Sequence, residues 1–231
     1  MSIITTSTIA RCTFTARSLP TVGDGQVVRV DKVASTQDVA RDLPVGSIVI
    51  ADHQTAGRGR LDRRWDAPPG TALLASFVLE PRPLLSLALG VAAAEACDAG
   101  VRLKWPNDLL LDGRKLGGIL VETTPHKAVC GIGINLTWAP DGAAMLDQPR
   151  ETLFARLREQ VSEWAAAPAD SVLARWRELS DTLGRRVRID GTEGLAEDIG
   201  ENGELVVDGK AYVAGSVTHL TISGSTSPER P

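Results

Sequence analysis

The chain has 231 residues, of which 43% are hydrophobic and 23% are charged, and its formal net charge at pH 7 is −4. These values are typical of a globular protein and exclude a disordered or fibrous chain, while the negative charge provides no overall attraction to nucleic acid or to an anionic membrane. The length predicts one domain of catalytic size with a small additional domain.

The first part of the chain predicts strands that alternate with two helices. Residues 26–34 are rich in Val and predict a strand, and the hydroxyl of Ser35 then predicts the N-cap of a short helix through Leu43. A longer helix, rich in Ala and Leu, is predicted at 86–100, with Gly100 at its end. Further strands are predicted at 47–51, 71–79, 101–105 and 128–136.

The second part of the chain predicts two amphipathic helices, at 151–166 and 169–183, after a loop at 139–149. From Gly184 onwards, short strands rich in Val and Ile alternate with Asp-Gly and Asn-Gly turns, which predicts a small all-β barrel. We therefore expect a catalytic domain at 1–183, a small β domain at 184–223 and a mobile tail at 224–231.

The sequence shows no signal for a membrane or for export. No apolar run is long enough to span a bilayer, and the first twenty residues lack the apolar centre of a signal peptide. Cys12, Cys97 and Cys130 are widely spaced and lack metal-ligand spacing, so we interpret them as buried reduced thiols. These features predict a cytoplasmic protein.

The sharpest chemical signal is the segment QTAGRGRLDRRW, which runs from Gln54 to Trp65. It places four arginines within seven residues of an acidic protein. Guanidinium groups bind pairs of phosphate or carboxylate oxygens, so the segment predicts an anion-binding loop, with Trp65 suited to stack on a base or to cover the site. A solvated basic loop or an RNA contact is the alternative. The arginines are Arg58, Arg60, Arg63 and Arg64.

The segment KWPND, at 104–108, predicts a strand that stops at Pro106, because proline disfavours a helix at the residue before it. The side-chain oxygens of Asn107 and Asp108 are suited to a nucleotide or its Mg²⁺. The alternative is that this pair only forms the turn after the proline.

Asp112-Gly113 predicts a hairpin with a type I′ turn, because both residues tolerate positive φ angles. On the returning strand, regular alternation would place Lys115 and Gly118 on opposite faces. Two consecutive glycines inside a strand indicate a close neighbour or a bulge. A bulge would allow Lys115 and Gly118 to face the same ligand.

The string GIGIN predicts a strand with bare backbone on one face. Alternation places Gly131, Gly133 and Asn135 together, opposite the apolar residues Ile132 and Ile134. One face therefore belongs to the core and the other is open to a ligand. The string is not a dinucleotide-binding fingerprint, because it lacks a third glycine and a following helix.

These strings occur in an order that resembles biotin protein ligases, over about Val28 to Leu136. The resemblance implies an α+β fold, with a mixed-sheet catalytic domain of the biotin/lipoate ligase type and an SH3-like C-terminal barrel. It also implies an enzyme that converts biotin and ATP to biotinyl-5′-AMP and passes biotin to a lysine of a biotin carboxyl carrier domain. Because Ser35 stands so early, the resemblance implies the monofunctional type without an N-terminal DNA-binding domain.

The resemblance further implies roles for individual residues. Lys115, Arg58 and Arg60 are the expected catalytic residues, which together with Mg²⁺ would neutralise the carboxylate and the triphosphate. Asp108 is the candidate ligand of Mg²⁺, and Gln37 stands where the resemblance leads us to expect asparagine. The expected nucleotide-binding residues are Arg60, Arg63, Trp65, Asn107, Lys115 and Asn135. The expected biotin-binding residues are Ser35, Thr36, Gln37, Gln54, Gly57, Arg58, Gly59, Arg60, Lys115, Gly118, Gly131 and Gly133.

Two alternatives differ in the ligand. A lipoate–protein ligase would use a related fold and the same acyl-adenylate chemistry. An RNA-binding module would use the arginine segment, but the acidic balance and the lack of interleaved aromatic residues argue against it. For the leading interpretation we expect a carrier domain as partner, no nucleic acid, no membrane, and a monomer or weak homodimer.

Overall fold

The computed structural model describes residues 25–220, which form a seven-stranded sheet, a five-stranded sheet, a separate two-stranded hairpin and four helices. Three expectations fall on residues outside this range: the lack of an N-terminal DNA-binding domain, the interpretation of Cys12 as a reduced thiol, and the mobile tail at 224–231. In chain order, the elements are β1 (Val27–Val33), α1 (Thr36–Arg41), β2 (Ile48–Gln54), β3 (Gly57–Arg58), β4 (Arg64–Trp65), β5 (Ala72–Leu79), α2 (Leu85–Cys97), β6 (Arg102–Lys104), β7 (Asp108–Leu111), β8 (Arg114–Thr123), β9 (Ala128–Asn135), α3 (Arg150–Ala166), α4 (Ala169–Leu179), β10 (Arg186–Ile189), β11 (Thr192–Ile199), β12 (Leu205–Val207), β13 (Lys210–Tyr212) and β14 (Val217–His219).

The larger sheet has seven strands in the order β1-β2-β5-β9-β8-β7-β6. Only β1 and β2 are parallel, and the other neighbours are antiparallel. The sheet is therefore mixed, as predicted.

Alternate residues of the central strands face two different apolar layers. On β2, Ile48 and Ile50 lie in the main core with α2, α3 and α4, while Val49 packs with Ala40 of α1 on the opposite face. The helix α1 is short and covers only part of its face. The rest of this face stays available for a ligand.

The smaller sheet is antiparallel, in the order β13-β12-β11-β10-β14. Among the described residues its two edge strands do not pair with each other, so the predicted barrel is an open five-stranded sheet. Its inward side chains, such as Val187 and Leu205, belong to the same continuous core as α2 and α4.

Trp105 connects the two sheets. Its backbone N–H donates to the Thr182 hydroxyl at 3.0 Å, and its indole Nε1 donates to the Gly203 carbonyl at 3.0 Å. The neighbouring carbonyl of Leu103 accepts from the backbone N–H of Asp181 at 2.8 Å. The edge of the larger sheet is thereby held beside the smaller one.

Most predicted elements are found within a few residues of their expected bounds. The helix predicted at 86–100 ends earlier, at Cys97, because Asp98 adopts a positive φ of 49°. The helix predicted to reach residue 183 ends at Leu179, and its next residues pair with β6. In residues 25–220, no helix is long and apolar enough to cross a bilayer.

We predict that Trp105→Phe lowers the free energy of unfolding by about 1 kcal/mol, because the partly buried Gly203 carbonyl loses its donor. Trp105→Ala should cost about 3–5 kcal/mol, because it also leaves a cavity. Urea denaturation measures both values. A Phe variant as stable as the wild type would show that the indole hydrogen bond contributes nothing.

Candidate functional site

A cleft on the α1 face of the larger sheet gathers most of the candidate residues. Five adjacent strands each contribute one residue to a row across its floor, and each residue pairs in register with the next: Leu74, Gly133, Gly118, Asp108 and Lys104. Neighbouring strands lie about 4.8 Å apart, so the row spans roughly 19 Å. Along it, the floor changes from apolar to bare backbone to charged.

Buried hydroxyl and amide groups close one end of the cleft. The Ser35 hydroxyl caps α1 by accepting from the Gln37 backbone N–H at 3.3 Å. The Oε1 atom of Gln54 accepts from the backbone N–H of Thr36 at 2.7 Å and from its hydroxyl at 2.9 Å, and the Ser76 hydroxyl donates to Thr36 Oγ1 at 2.8 Å. All these groups are buried and neutral, so this end suits uncharged polar groups of a ligand.

Two glycines of β9 let other side chains lie directly on the sheet. A Cβ at Gly131 would lie 3.2 Å from Cδ of Gln37, and a Cβ at Gly133 would lie 2.7 Å from Cε2 of Trp65. Gln37 donates through Nε2 to the Leu120 carbonyl at 3.3 Å, while its Oε1 is buried without a partner among the described residues. Because a buried, unpaired acceptor is unfavourable, Gln37 is suited to accept from a donor on the ligand.

The arginine segment forms a short hairpin over the cleft. Gly57 pairs with Trp65, and Arg58 pairs with Arg64, while Leu61-Asp62 forms the tip with φ angles of 55° and 57°. A Cβ at Gly57 would lie 2.3 Å from the Trp65 carbonyl oxygen, so glycine is required for this close pairing. We refer to residues 57–65 as the arginine hairpin.

Arg58 lies at the rim of the cleft between two carboxylates. Its Nη1 atom is 2.7 Å from Oδ1 of Asp38, and its Nη2 atom is 3.7 Å from Oε2 of Glu122. An anionic ligand would compete with these two partners. Neither carboxylate was identified from the sequence, because both approach Arg58 only through the tertiary fold.

Arg60 lies deeper in the cleft. Its Nη1 atom donates to Oδ1 of Asn107 at 3.3 Å, and the Nδ2 atom of Asn107 donates to the Ile119 carbonyl at 2.7 Å. Burial lowers the pKa of Arg60, against the opposing effect of Asp108. Charge interactions strengthen where water is excluded, so Arg60 is well placed to bind an anionic group.

Lys115 reaches the cleft because β8 contains a bulge. Leu109 pairs with Gly117, and the next residue, Leu110, pairs with Lys115, so Leu116 is the extra residue. Its side chain enters the core, whereas Lys115 and Gly118 both line the cleft. The bulge alternative raised from the sequence is thus confirmed.

The ammonium group of Lys115 has an acidic partner on the neighbouring strand. Its Nζ atom lies 2.6 Å from Oδ1 of Asp108, with 43% of the Lys115 side chain and 21% of the Asp108 side chain exposed. The pair holds the ammonium at the floor of the cleft, next to Gly118.

The smaller sheet also contributes to the cleft, which the sequence analysis did not predict. Gly215 and Ser216, in the loop before β14, and Val217 of β14 line it, and Arg63 of the arginine hairpin donates through Nη2 to the Ser216 hydroxyl at 3.1 Å. Lys104 also lines the cleft and had been assigned no role. Counting residues on both sides of the turn between Lys104 and Asp108 would have paired these two residues. No signal in the sequence connects Lys104 or Asp108 to Ser216.

All the candidate residues line the cleft except Gly57 and Asn135. Gly57 is buried within the hairpin strand β3, where it pairs with Trp65. Asn135 is buried, and its Nδ2 atom donates to the Ala144 carbonyl at 3.0 Å, so its amide holds the loop after β9. The residues that line the cleft as predicted are Ser35, Thr36, Gln37, Gln54, Arg58, Gly59, Arg60, Arg63, Trp65, Asn107, Asp108, Lys115, Gly118, Gly131 and Gly133.

The residues of the cleft fit a metal that arrives with a phosphate ligand. Across residues 25–220, no three or more His, Cys, Asp or Glu side chains are grouped to hold a metal ion. Asp108 is a single carboxylate beside Lys115. Mg²⁺ is commonly bound by one or two carboxylates together with substrate phosphates and water, so Asp108 fits that arrangement.

Comparisons with known proteins agree on one family. The model of the biotin/lipoate A/B protein ligase family matches residues 25–136. The biotin–[acetyl-CoA-carboxylase] ligase of Mycobacterium tuberculosis is 33% identical, over 83% of this chain and 89% of that protein. The protein of the same name from Paracoccus denitrificans is 32% identical, over 77% of this chain and 90% of its own length.

A solved structure gives the same result. The biotin protein ligase from Aquifex aeolicus in complex with biotin and ATP superposes with a TM-score of 0.74 and 26% sequence identity. The match covers 84% of this chain and 98% of that one. The likeness therefore extends over both sheets, beyond the region that carries the sequence strings.

We predict that Gln54→Leu lowers the free energy of unfolding by about 2–3 kcal/mol, because it leaves the N–H and hydroxyl of Thr36 without their acceptor. The matched control is Gln160→Leu on α3, since the side-chain oxygen of Gln160 has no hydrogen-bond partner among the described residues. Chemical denaturation of both variants measures the difference. Equal stability of the two would contradict the role of Gln54 in the network.

Proposed function

The chain belongs to the biotin/lipoate A/B protein ligase family, and we propose that within it this protein is a biotin–protein ligase. It activates biotin with ATP to biotinyl-5′-AMP and then transfers the biotinyl group to a lysine of a biotin carboxyl carrier domain. The relatives from M. tuberculosis and P. denitrificans are named for biotin transfer to acetyl-CoA carboxylase. The similar A. aeolicus structure holds both substrates of the first step.

The observation that carries the proposal is the order of chemical groups along the cleft. Buried neutral donors and acceptors lie at one end, bare glycine backbone lies in the middle, and the cations Arg60 and Lys115 follow. Biotin has the same order, with a neutral ureido ring, an apolar chain and a terminal carboxylate. This match supports one orientation, with the ring near Thr36 and the carboxylate near Lys115.

The neutral end favours biotin over lipoate. The ureido ring of biotin has two N–H donors and a carbonyl acceptor, whereas the dithiolane ring of lipoate has no N–H group. The unpaired Oε1 atom of Gln37 would be satisfied by such a donor. A site built for hydrogen bonds discriminates strongly against an analogue that lacks them.

The first step brings two anions together, and the cleft supplies charge to allow it. A carboxylate oxygen of biotin attacks the α-phosphorus of ATP, the bond from that phosphorus to the bridging oxygen breaks, and pyrophosphate leaves. Lys115 and Arg60 would neutralise the carboxylate and the charge that develops on the α-phosphate. These residues act by position and electrostatics, so no covalent bond to the enzyme is required.

The second step consumes the mixed anhydride. The acceptor lysine attacks its carbonyl carbon as a neutral amine, the bond to the AMP oxygen breaks, and the amine loses a proton as the amide forms. Until then the anhydride must be kept from water. Trp65 and the arginine hairpin lie over the floor of the cleft, which supports a role in excluding water.

Mg²⁺ would accompany ATP, with Asp108 as the residue best placed to hold it. When bound, the ion supplies positive charge to the phosphate oxygens.

The proposal extends to the domain division, the cellular location and the oligomeric state of the protein. We propose a division at residue 184 into a catalytic domain and an SH3-like domain, which is supported by the start of the smaller sheet at Arg186. We propose a cytoplasmic location, which is supported by Cys97 and Cys130, because both are buried and neither is in a disulfide. We also propose that the protein acts as a monomer or weak homodimer.

The direct test is incubation with biotin, Mg·ATP and a purified carrier domain, followed by the intact mass of the carrier. The carrier should gain one biotinyl group at one lysine, and lipoate in place of biotin should give no adduct. A carrier modified only when lipoate is supplied would replace this proposal with lipoate transfer.

We predict that Lys115→Met slows formation of biotinyl-5′-AMP by about 100-fold or more, because it removes one preorganised charge at the reacting centre. The fold should be unaffected, since the side chain is partly exposed. Single-turnover release of pyrophosphate measures the rate, and the exposed Lys32→Met is the matched control. A Lys115→Met rate equal to that of the control would show that this charge is unnecessary.

We predict that Arg58→Ala and Arg60→Ala release biotinyl-5′-AMP faster, because each removes a cation from the hairpin that would cover it. Leakage is measured as the free biotinyl-5′-AMP that appears in solution in the absence of a carrier domain. Arg29→Ala is the control, since Arg29 lies outside the cleft and pairs with Glu151 at 2.8 Å. Equal leakage from all three variants would contradict a specific role for Arg58 and Arg60.

A further inference from the structure

Two carboxylates beside the cleft have no part in the proposed chemistry. Asp38 lies on α1, and Glu122 lies on β8. Gly118 and Leu120 of β8 line the cleft, so regular alternation places Glu122 on the same face of the sheet. The Asp38 side chain is 40% exposed and that of Glu122 is 35% exposed. Negative charges in this place would repel an anionic ligand unless cations offset them.

Two arginines contact both carboxylates. Arg58 of the arginine hairpin lies 2.7 Å from Oδ1 of Asp38 and 3.7 Å from Oε2 of Glu122. Arg41 of α1 donates to the same two oxygen atoms, at 2.9 Å and 2.7 Å. We refer to Asp38, Glu122, Arg41 and Arg58 as the charge ring. It holds two positive and two negative groups, so it is neutral and each carboxylate lies between two cations.

The charge ring joins the arginine hairpin to α1 and to β8. Arg58 belongs to β3 and pairs with Arg64 of β4, so fixing its guanidinium restrains both strands of the hairpin. The other hairpin arginines contact neutral groups. Arg60, Arg63 and Arg64 donate to neutral oxygen atoms at 3.3, 3.1 and 3.1 Å. Contacts between full charges add an attraction that a neutral acceptor does not provide.

The charge ring lies away from the proposed reacting groups. Glu122 follows Gly118 by four residues on β8, which is about 13 Å along the strand. The carboxylate of biotin is proposed to lie near Lys115, beside Gly118. While Arg58 stays with Glu122, it is therefore remote from that carboxylate. In the charge ring, Arg58 acts through the position of the hairpin.

We propose that Asp38 and Glu122 are positioning residues, which hold the arginine hairpin over the cleft by fixing Arg58. Arg41 is their second counter-ion and keeps both carboxylates in place. The proposal rests on the proposed function only for the identity of the ligand that the hairpin retains, biotinyl-5′-AMP. The contact itself belongs to the free protein.

The first test measures the hairpin in the free protein. Trypsin cleaves after Arg60 and Arg63 only when the hairpin leaves the sheet, so the cleavage rate follows the open population. Asp38→Asn and Glu122→Gln should each raise this rate about three- to tenfold, because each removes one carboxylate from a network of partly exposed ion pairs. Mass spectrometry of the fragments measures the rate at each site.

A double-mutant cycle and two controls make the first test specific. In an Arg58→Met background, Asp38→Asn should change the cleavage rate by less than twofold, because the contact that it removes is already gone. The controls Asp198→Asn and Glu151→Gln break exposed ion pairs outside the cleft. Both controls should stay within twofold of the wild-type rate.

The second test measures retention of the ligand. Asp38→Asn should release biotinyl-5′-AMP about three- to tenfold faster than the wild type, since the hairpin opens more often. Single-turnover release of pyrophosphate should stay within twofold of the wild-type rate, because Lys115 and Arg60 are unchanged. A general loss of structure would instead lower both the retention and the rate of formation.

Three results would overturn the assignment. The first is wild-type cleavage of both Asp38→Asn and Glu122→Gln, and the second is an equal effect of Asp38→Asn with and without Arg58. The third is unchanged or slower release of biotinyl-5′-AMP from Asp38→Asn, and slower release would show that the carboxylates compete with the ligand for Arg58. The proposed function can fail separately, because the cleavage pattern requires no ligand and no turnover.

Discussion

The bulge in β8 is the constraint on which the site depends. Regular alternation would place Lys115 on the opposite face of the sheet from Gly118. The extra residue, Leu116, is accommodated by placing its side chain in the core, and the strand then presents Lys115 and Gly118 to the same cleft. One irregular pairing thus brings a positive charge next to bare backbone without giving up core packing, which is a recognised use of bulges near active sites.

The glycines of β9 let two side chains of the site pack directly on this face of the sheet. Gly131 and Gly133 leave no side chain in the way, so Gln37 and Trp65 approach the sheet directly. The neutral network around Thr36 and the cations around Lys115 therefore lie at different points of one continuous surface. Because Val217 of the smaller sheet and the preceding Ser216 also line the cleft, it is complete only when both sheets are in place.

Local signals predicted much of this arrangement from the sequence. Alternation in GIGIN correctly separated Gly131 and Gly133 from the core residues Ile132 and Ile134, and Asp112-Gly113 correctly predicted the hairpin turn. Tertiary contacts left no comparable signal. The Arg58–Asp38 ion pair and the Arg63–Ser216 hydrogen bond join residues that are far apart in the chain. The amide of Asn135 donates to a loop carbonyl, that of Ala144, and no sequence pattern predicts the path of that loop.

The central claim is that this cleft joins a carboxylate to the α-phosphate of ATP before any carrier is present. The most direct measurement is the exchange of labelled pyrophosphate into ATP by the purified protein, with biotin and Mg²⁺ but no acceptor. The account predicts exchange that requires biotin and that lipoate does not support. Absence of exchange at saturating biotin and ATP, in a folded protein, would contradict it.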